Sequence, residues 1–173
     1  ENSKKSLSRC VCTLRPKSEG GLFAGKENER KSILRLIAEY NPFLLDVEFN
    51  TIQKDRKLAV YLKKTKCKLL ISWHDFKKTP NESQLKSRFN KMKKFSTVVK
   101  IVTVAKNVSD ASRLLSLYSI KSKDKTVAFC MGDQGKFSRI LCLHLGSPFT
   151  YVSLGKAIAP GQFSVDEIKS LEN

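Results

Sequence analysis

Short apolar runs alternate along the chain with longer stretches whose apolar residues recur every three or four positions. The runs are CVCTLR, LLDVEF, KLLISW, VVKIVTV, TVAFCM and PFTYVS, and their β-branched and aromatic content predicts six strands. Between most of them the period is helical. KENERKSILRLIAEY carries Ile33, Leu34, Ile37 and Tyr40 on one face. NESQLKSRFNKMKKF carries Leu85, Phe89, Met92 and Phe95 in the same way, after Pro80 and Asn81 as a start signal. VSDASRLLSLYS opens with Ser109 or Asp110 as its cap. The segment after MGDQG repeats Phe137, Ile140, Leu141 and Leu143 at helical spacing.

Strand alternating with helix argues an α/β fold with a parallel sheet and right-handed crossovers. Two closures fit, an open doubly wound sheet and a (β/α) barrel. No GxGxxG follows the first strand, so a dinucleotide-binding domain is unsupported. Arg15, Glu48, His74 and Lys100 lie in or just after different strands, and Met131 ends another beside a glycine loop. Functional groups supplied by the ends of several strands are the habit of a barrel. A barrel has eight strands and about 250 residues; here 173 residues supply six strand-like runs. The expectation is one barrel domain over residues 1–173 with part of its circuit missing.

Composition changes this picture little. Hydrophobic residues at 40% place the chain with ordinary globular proteins. No apolar run approaches the roughly 20 residues of a membrane span, and ENSKKSLSR has no signal-peptide core, so no membrane partner is expected. The net charge of +17 raises the prospect of a polyanion partner. The lysines are spread through KKTKCK, FKKTP, KMKK and IKSKDK, however, and no aromatic residue alternates with arginine. A solvated surface is the preferred reading, with nucleic acid the weaker one. Cys10, Cys12, Cys67, Cys130 and Cys142 form no CxxC pair and no metal spacing with histidine. Free thiols in a reducing cytoplasm follow.

Lys100 stands inside VVKIV, where alternation puts it on one face with Val98 and Val102. It reads either as an edge-strand or snorkelling lysine, or as an amine whose desolvation makes it a nucleophile for a ketone. His74 follows an apolar strand and suits general acid–base work or a loop cap. His144 follows helical periodicity and reads as structural. Arg15, then Glu19 beside Gly20 and Gly21, end another strand. MGDQGKFSR lacks P-loop spacing, but its Arg139 suits a bidentate carboxylate clamp. IAPGQFS joins a Pro160–Gly161 turn to the amide of Gln162.

Taken in order, R…EGG, SWHDFKKTP, VVKI, MGDQGKFSR, GSPFTY and APGQFS resemble the type I 3-dehydroquinate dehydratases. These are class I aldolase-like (β/α)8 enzymes of the shikimate pathway, and the resemblance runs from about Cys10 to the C-terminus. It implies a lyase that dehydrates 3-dehydroquinate to 3-dehydroshikimate. Lys100 matches the Schiff-base lysine and His74 the general acid–base. Glu19 matches the acidic residue associated with His74, and Asp46 an acidic strand-end residue of the same network. Arg15, Arg139 and Gln162 match substrate-binding positions. No metal or organic cofactor is implied, and a homodimer is. Two departures stand out. The first two βα units of the family, with a Glu-x-Arg strand, have no counterpart before Cys10, and Ile158 stands where the family commonly has Ser. The alternative expectation is a weakly active or inactive remnant serving as a binding or scaffold protein.

Overall fold

Residues 4–155 and 157–171 are described by a computed structural model. A four-residue helix α1 (Lys4–Leu7) leads into β1 (Val11–Thr13), and α2 (Glu27–Glu39) returns to β2 (Leu44–Glu48). Two helices follow, α3 (Phe49–Lys54) and α4 (Arg56–Lys64), before β3 (Leu69–Asp75) and α5 (Glu82–Met92). Then come β4 (Val98–Val104), α6 (Val108–Leu115), β5 (Lys125–Met131), α7 (Ser138–His144) and α8 (Val165–Leu171). The strands stand in the sheet in chain order, β1-β2-β3-β4-β5. β1 pairs parallel with β2, Thr13 facing Asp46, and β2 parallel with β3, Glu48 facing Ser72. A doubly wound sheet reverses its strand order at a switch point; here the order never reverses. The class is α/β of the (β/α) barrel type, as expected.

The chain divides into two compact units, Glu1–Trp73 with Lys91–Val99, and His74–Asn90 with Lys100–Asn173. In the first, Leu34 and Ala38 of α2, Leu45 and Val47 of β2, Ile52 of α3 and Leu58 and Leu62 of α4 are buried. In the second, Val102, Val127, Phe129 and Met131 of β4 and β5 pack with Leu115 and Cys142. All five residues of β2 are buried, so both of its faces are covered, as parallel strands require. The five cysteines are free thiols.

Several sequence expectations need correction. PFTYVS is not a strand: Ser153 makes an isolated bridge with Ser164, while Phe149 and Tyr151 pack sideways on the core of the second unit. Five strands, not six, are formed among the described residues. The segment over residues 49–64, unnamed in the sequence reading, forms two helices broken at Asp55, whose carboxylate caps α4 through Leu58 N–H at 2.9 Å. The inward stripe of α2 is Arg30, Leu34 and Ala38, and Tyr40 is exposed at its C-cap. In α5, Leu85, Phe89 and Met92 are buried as read, but Phe95 lies beyond the helix against Phe49. His74 lies within β3 rather than after it, and Asp46 sits mid-strand.

The phase of α7 is the largest departure. Ser138, Arg139 and Cys142 face inward, and Phe137, Leu141 and Leu143 are exposed. The Ser138 hydroxyl donates to Gly135 O and accepts Cys130 N–H at 2.8 Å. These bonds fix the first turn of the helix against β5 with its polar side inward.

The cap of α6 is Asn107, whose side chain accepts Asp110 N–H at 2.9 Å, not Ser109 or Asp110. Asn107→Ala therefore costs about 1 kcal/mol in urea unfolding, whereas Ser109→Ala stays within about 0.5 kcal/mol of the native protein.

Candidate functional site

In the first unit, the backbone after β1 is held so that one arginine points at β2. Phe23 N–H bonds to Arg15 O at 3.2 Å, and Gly21 N–H to Pro16 O at 3.0 Å. A Cβ on Gly21 would stand 2.0 Å from Arg15 O, so this turn admits only glycine. Arg15 Nη2 donates to Asp46 Oδ2 at 2.9 Å and Nη1 to Ser72 Oγ at 3.3 Å. Ser72 Oγ in turn donates to Asp46 Oδ1.

Asp46 and Glu48 are two residues apart on β2 and share a face. Glu48 is fully buried, and so is its nearest partner, Arg30, whose Nη1 lies 2.7 Å from Oε2. Arg15 Nη1 approaches the other oxygen at 3.5 Å. Arg30 also donates to Leu14 O at 2.9 Å, to Thr51 Oγ1 at 2.6 Å and bidentately to Glu27 at 2.8 Å. Burial pushes the Glu48 carboxyl above its ordinary value, against the pull of Arg15 and Arg30. Burial raises Glu19 too, opposed by the Asn50 amide, which donates to Oε1 at 3.0 Å. Its Oε2 is buried without a hydrogen-bond partner.

In the second unit, HDFKKTP is a built turn. Asp75 Oδ1 accepts Lys77 and Lys78 N–H at 2.9 and 3.0 Å, and Thr79 Oγ1 lies 2.7 Å from Thr103 Oγ1. The His74 ring stacks on Phe76 at 5.8 Å. Lys100 is 6% exposed on β4, its Nζ 4.5 Å above the Tyr151 ring and 3.5 Å from the Tyr151 hydroxyl.

Arg139 is 2% exposed, its Cζ 4.5 Å over Phe129. Nη2 donates to Pro160 O at 3.3 Å, Nε is buried with no partner, and no ion pair to it exists among the described residues. Burial pulls its pKa down to about 10. Pro160 O also accepts Gly132 N–H at 3.3 Å, and Gly161, at φ 69°, leaves no room for a Cβ beside Gly132 O. Gln162 Oε1 accepts Ile158 and Ala159 N–H at 3.0 and 3.2 Å, and the Ile158 side chain is exposed. Among the described residues no group of His, Cys, Asp or Glu is arranged to hold a metal ion, and no helix is long and apolar enough to cross a membrane.

The description "Type I 3-dehydroquinase" belongs to the family whose pattern matches residues 2–172. The chain is a member of that family. A 3-dehydroquinate dehydratase of Pyrobaculum aerophilum is 41% identical over 158 residues, 90% of this chain and 50% of that protein. One of Dehalococcoides mccartyi is 37% identical over 91% of this chain and 72% of its own length. The crystal structure of the type I 3-dehydroquinate dehydratase of Clostridium difficile, with covalently modified comenic acid, superposes at TM-score 0.80 and 26% identity. That match covers 92% of this chain and 65% of the other. The Aquifex aeolicus 3-dehydroquinate dehydratase superposes at TM-score 0.79 and 27% identity, over 99% of this chain and 79% of that one. The chain thus spans half of the Pyrobaculum relative and about two thirds of the Clostridium one.

For this dehydroquinase-family chain, the residues singled out in the sequence fall into two groups. Arg15 and Asp46 meet directly, and Glu19 pairs with Asn50. Arg139, in the first turn of α7, and the glycine loop before it both reach Pro160 O in the loop of Gln162. The sequence reading missed Arg30 and Tyr151 and gave Glu48 no partner. Arg30 had a signal, since it precedes buried Leu34 and Ala38 by one and two helical turns.

Arg30→Met leaves Glu48 buried with only the more distant guanidinium of Arg15, and urea unfolding at neutral pH is expected to lose about 3–5 kcal/mol. Because burial holds the folded Glu48 carboxyl above 4.5, the folded state binds more protons than the unfolded one in that range. Stability from this group is therefore greatest at low pH and falls as pH rises through the raised value. In Glu48→Gln that downward contribution disappears, which unfolding from about pH 4 to pH 7 measures.

Proposed function

We propose that this chain carries the catalytic chemistry of a dehydratase converting 3-dehydroquinate to 3-dehydroshikimate in the shikimate pathway. Membership of the family supports the reaction class. The observation that carries the reading to a substrate is Arg139. A buried guanidinium with an unused Nε and no carboxylate partner among the described residues is costly unless an anion joins it. A substrate carboxylate is such an anion, and Arg139 binds it bidentately in this reading.

The Nζ of Lys100 adds to the C3 ketone, and loss of water gives an iminium. His74 removes a C2 proton, the electron pair flows into the iminium, and an enamine forms. The enamine then expels the C1 hydroxyl as His74 returns the proton, so water leaves. Hydrolysis of the remaining imine releases product and restores Lys100. Burial of Lys100 on β4 suits this role, because the imine it forms is then sheltered from bulk water. The family pattern assigns Glu19 and Asp46 to its acidic positions, and Arg15 and Gln162 to its substrate-binding positions. No metal or organic cofactor takes part.

Residues 1–173 form one catalytic domain in this reading. The outward apolar face of α7, with Leu141 and Leu143, supports a homodimer, and the five free thiols suit the cytoplasm. Ile158 stands exposed in the loop of Gln162, where a hydroxyl is expected from the family pattern, which supports weak activity as the second reading.

The test is borohydride reduction in the presence of 3-dehydroquinate, followed by intact mass and peptide mapping. A stable adduct on Lys100, absent in Lys100→Ala, is the expected result, with His74→Ala forming the adduct but losing about 10²–10⁴-fold in turnover. A folded sample that gives no adduct would leave the inactive remnant as the reading.

A further inference from the structure

Four groups of the second unit stand in a row. Lys100 Nζ lies 4.5 Å from the centre of the Tyr151 ring, Tyr151 lies 6.0 Å from Phe129 at 54°, and Arg139 Cζ lies 4.5 Å from Phe129. Phe149 closes the edge of Tyr151 at 5.6 Å in a T-shaped contact. Arg139 thus meets the ring of Phe129, and Lys100 meets Tyr151 at its ring and at its hydroxyl, 3.5 Å from Nζ. We propose that Tyr151 and Phe129 are positioning residues, which hold the charges of Lys100 and Arg139 in place without neutralising them.

The physical reason lies in what a carboxylate would do instead. An acidic partner on Arg139 would repel an anionic ligand and occupy the donors that ligand needs. A ring face attracts a cation through its quadrupole and carries no net charge. The pair therefore fixes where the two side chains sit and adds no charge of its own. The roles given to Lys100 and Arg139 rest on the dehydratase reading above, but the aromatic placement of the charges does not.

Three variants test it: Tyr151→Phe, which keeps the ring, Tyr151→Leu, and Phe129→Leu, each first checked for cooperative thermal unfolding. The first measurement needs no substrate. Acylation of Lys100 by trace acetic anhydride is followed across pH by peptide mass. A change of access alters the plateau of that profile, whereas a change in the hold on the charge moves its midpoint. Tyr151→Leu is expected to move the midpoint down by roughly 0.4 to 1.5 pH units, and Tyr151→Phe, which loses only the hydroxyl that accepts from Lys100, to move it less than Tyr151→Leu does. The second measurement uses 3-dehydroquinate. Phe129→Leu is expected to raise KM roughly 2- to 30-fold with kcat little changed, because it acts through the carboxylate clamp. A native midpoint in Tyr151→Leu overturns the proposal, as does a Phe129→Leu variant that loses kcat and KM together. If even the native chain shows no turnover, the dehydratase reading fails, and the Lys100 midpoint alone decides whether the ring holds the charge.

Discussion

Charge inside a strand that is buried on both faces has to be matched where it stands. β2 meets this constraint with Asp46 and Glu48, which are met by Arg15 and Arg30. β4 meets it with Lys100, set over an aromatic ring. The turn that fixes the Arg15 backbone, Arg30 on the inward face of α2, and Tyr151 supply these matches. Desolvation of an ion costs several kcal/mol, far more than the strand propensity of any one segment. On β2 and β4 the charge contacts therefore decide which segments pack beside the strand.

That ordering explains what could be read from the sequence. The alternation of strand and helix was legible because it reflects burial averaged over many residues, and β1 to β5 fall where their apolar runs lie. PFTYVS had the composition of a strand, but Phe149 and Tyr151 serve the core sideways, which no local pattern encodes. α7 carried a helical apolar period, yet one serine hydroxyl bonded to both Gly135 and Cys130 set its phase the opposite way. The cap of α6 was misread by two to three residues because Asn107, Ser109 and Asp110 are all competent caps, and backbone geometry chooses among them.

The candidate site divides along the same line. Lys100 could be singled out from sequence because a lysine amid β-branched residues contradicts its surroundings, and Arg139 and Gln162 because they flank glycine or proline turns. Arg30 looked like one more surface arginine in a charged helix, since its neighbours Glu29 and Lys31 are polar. Its partners Leu14, Glu48 and Thr51 lie on three other segments. Tyr151 was likewise hidden, because its contact with Lys100 joins residues 51 positions apart.

The loop of Gln162 has a polarity of its own. Two backbone N–H groups, from Ile158 and Ala159, converge on the side chain, and only the oxygen end of an amide can receive them. What the side chain turns away from its own loop is therefore the amino end, a pure donor. Such a group discriminates by the lone pairs of its visitor: it welcomes an ether, hydroxyl or carboxylate oxygen and offers nothing to an ammonium. The fold of the loop alone thus decides which end of the Gln162 amide is spent on the backbone and which end is left to donate.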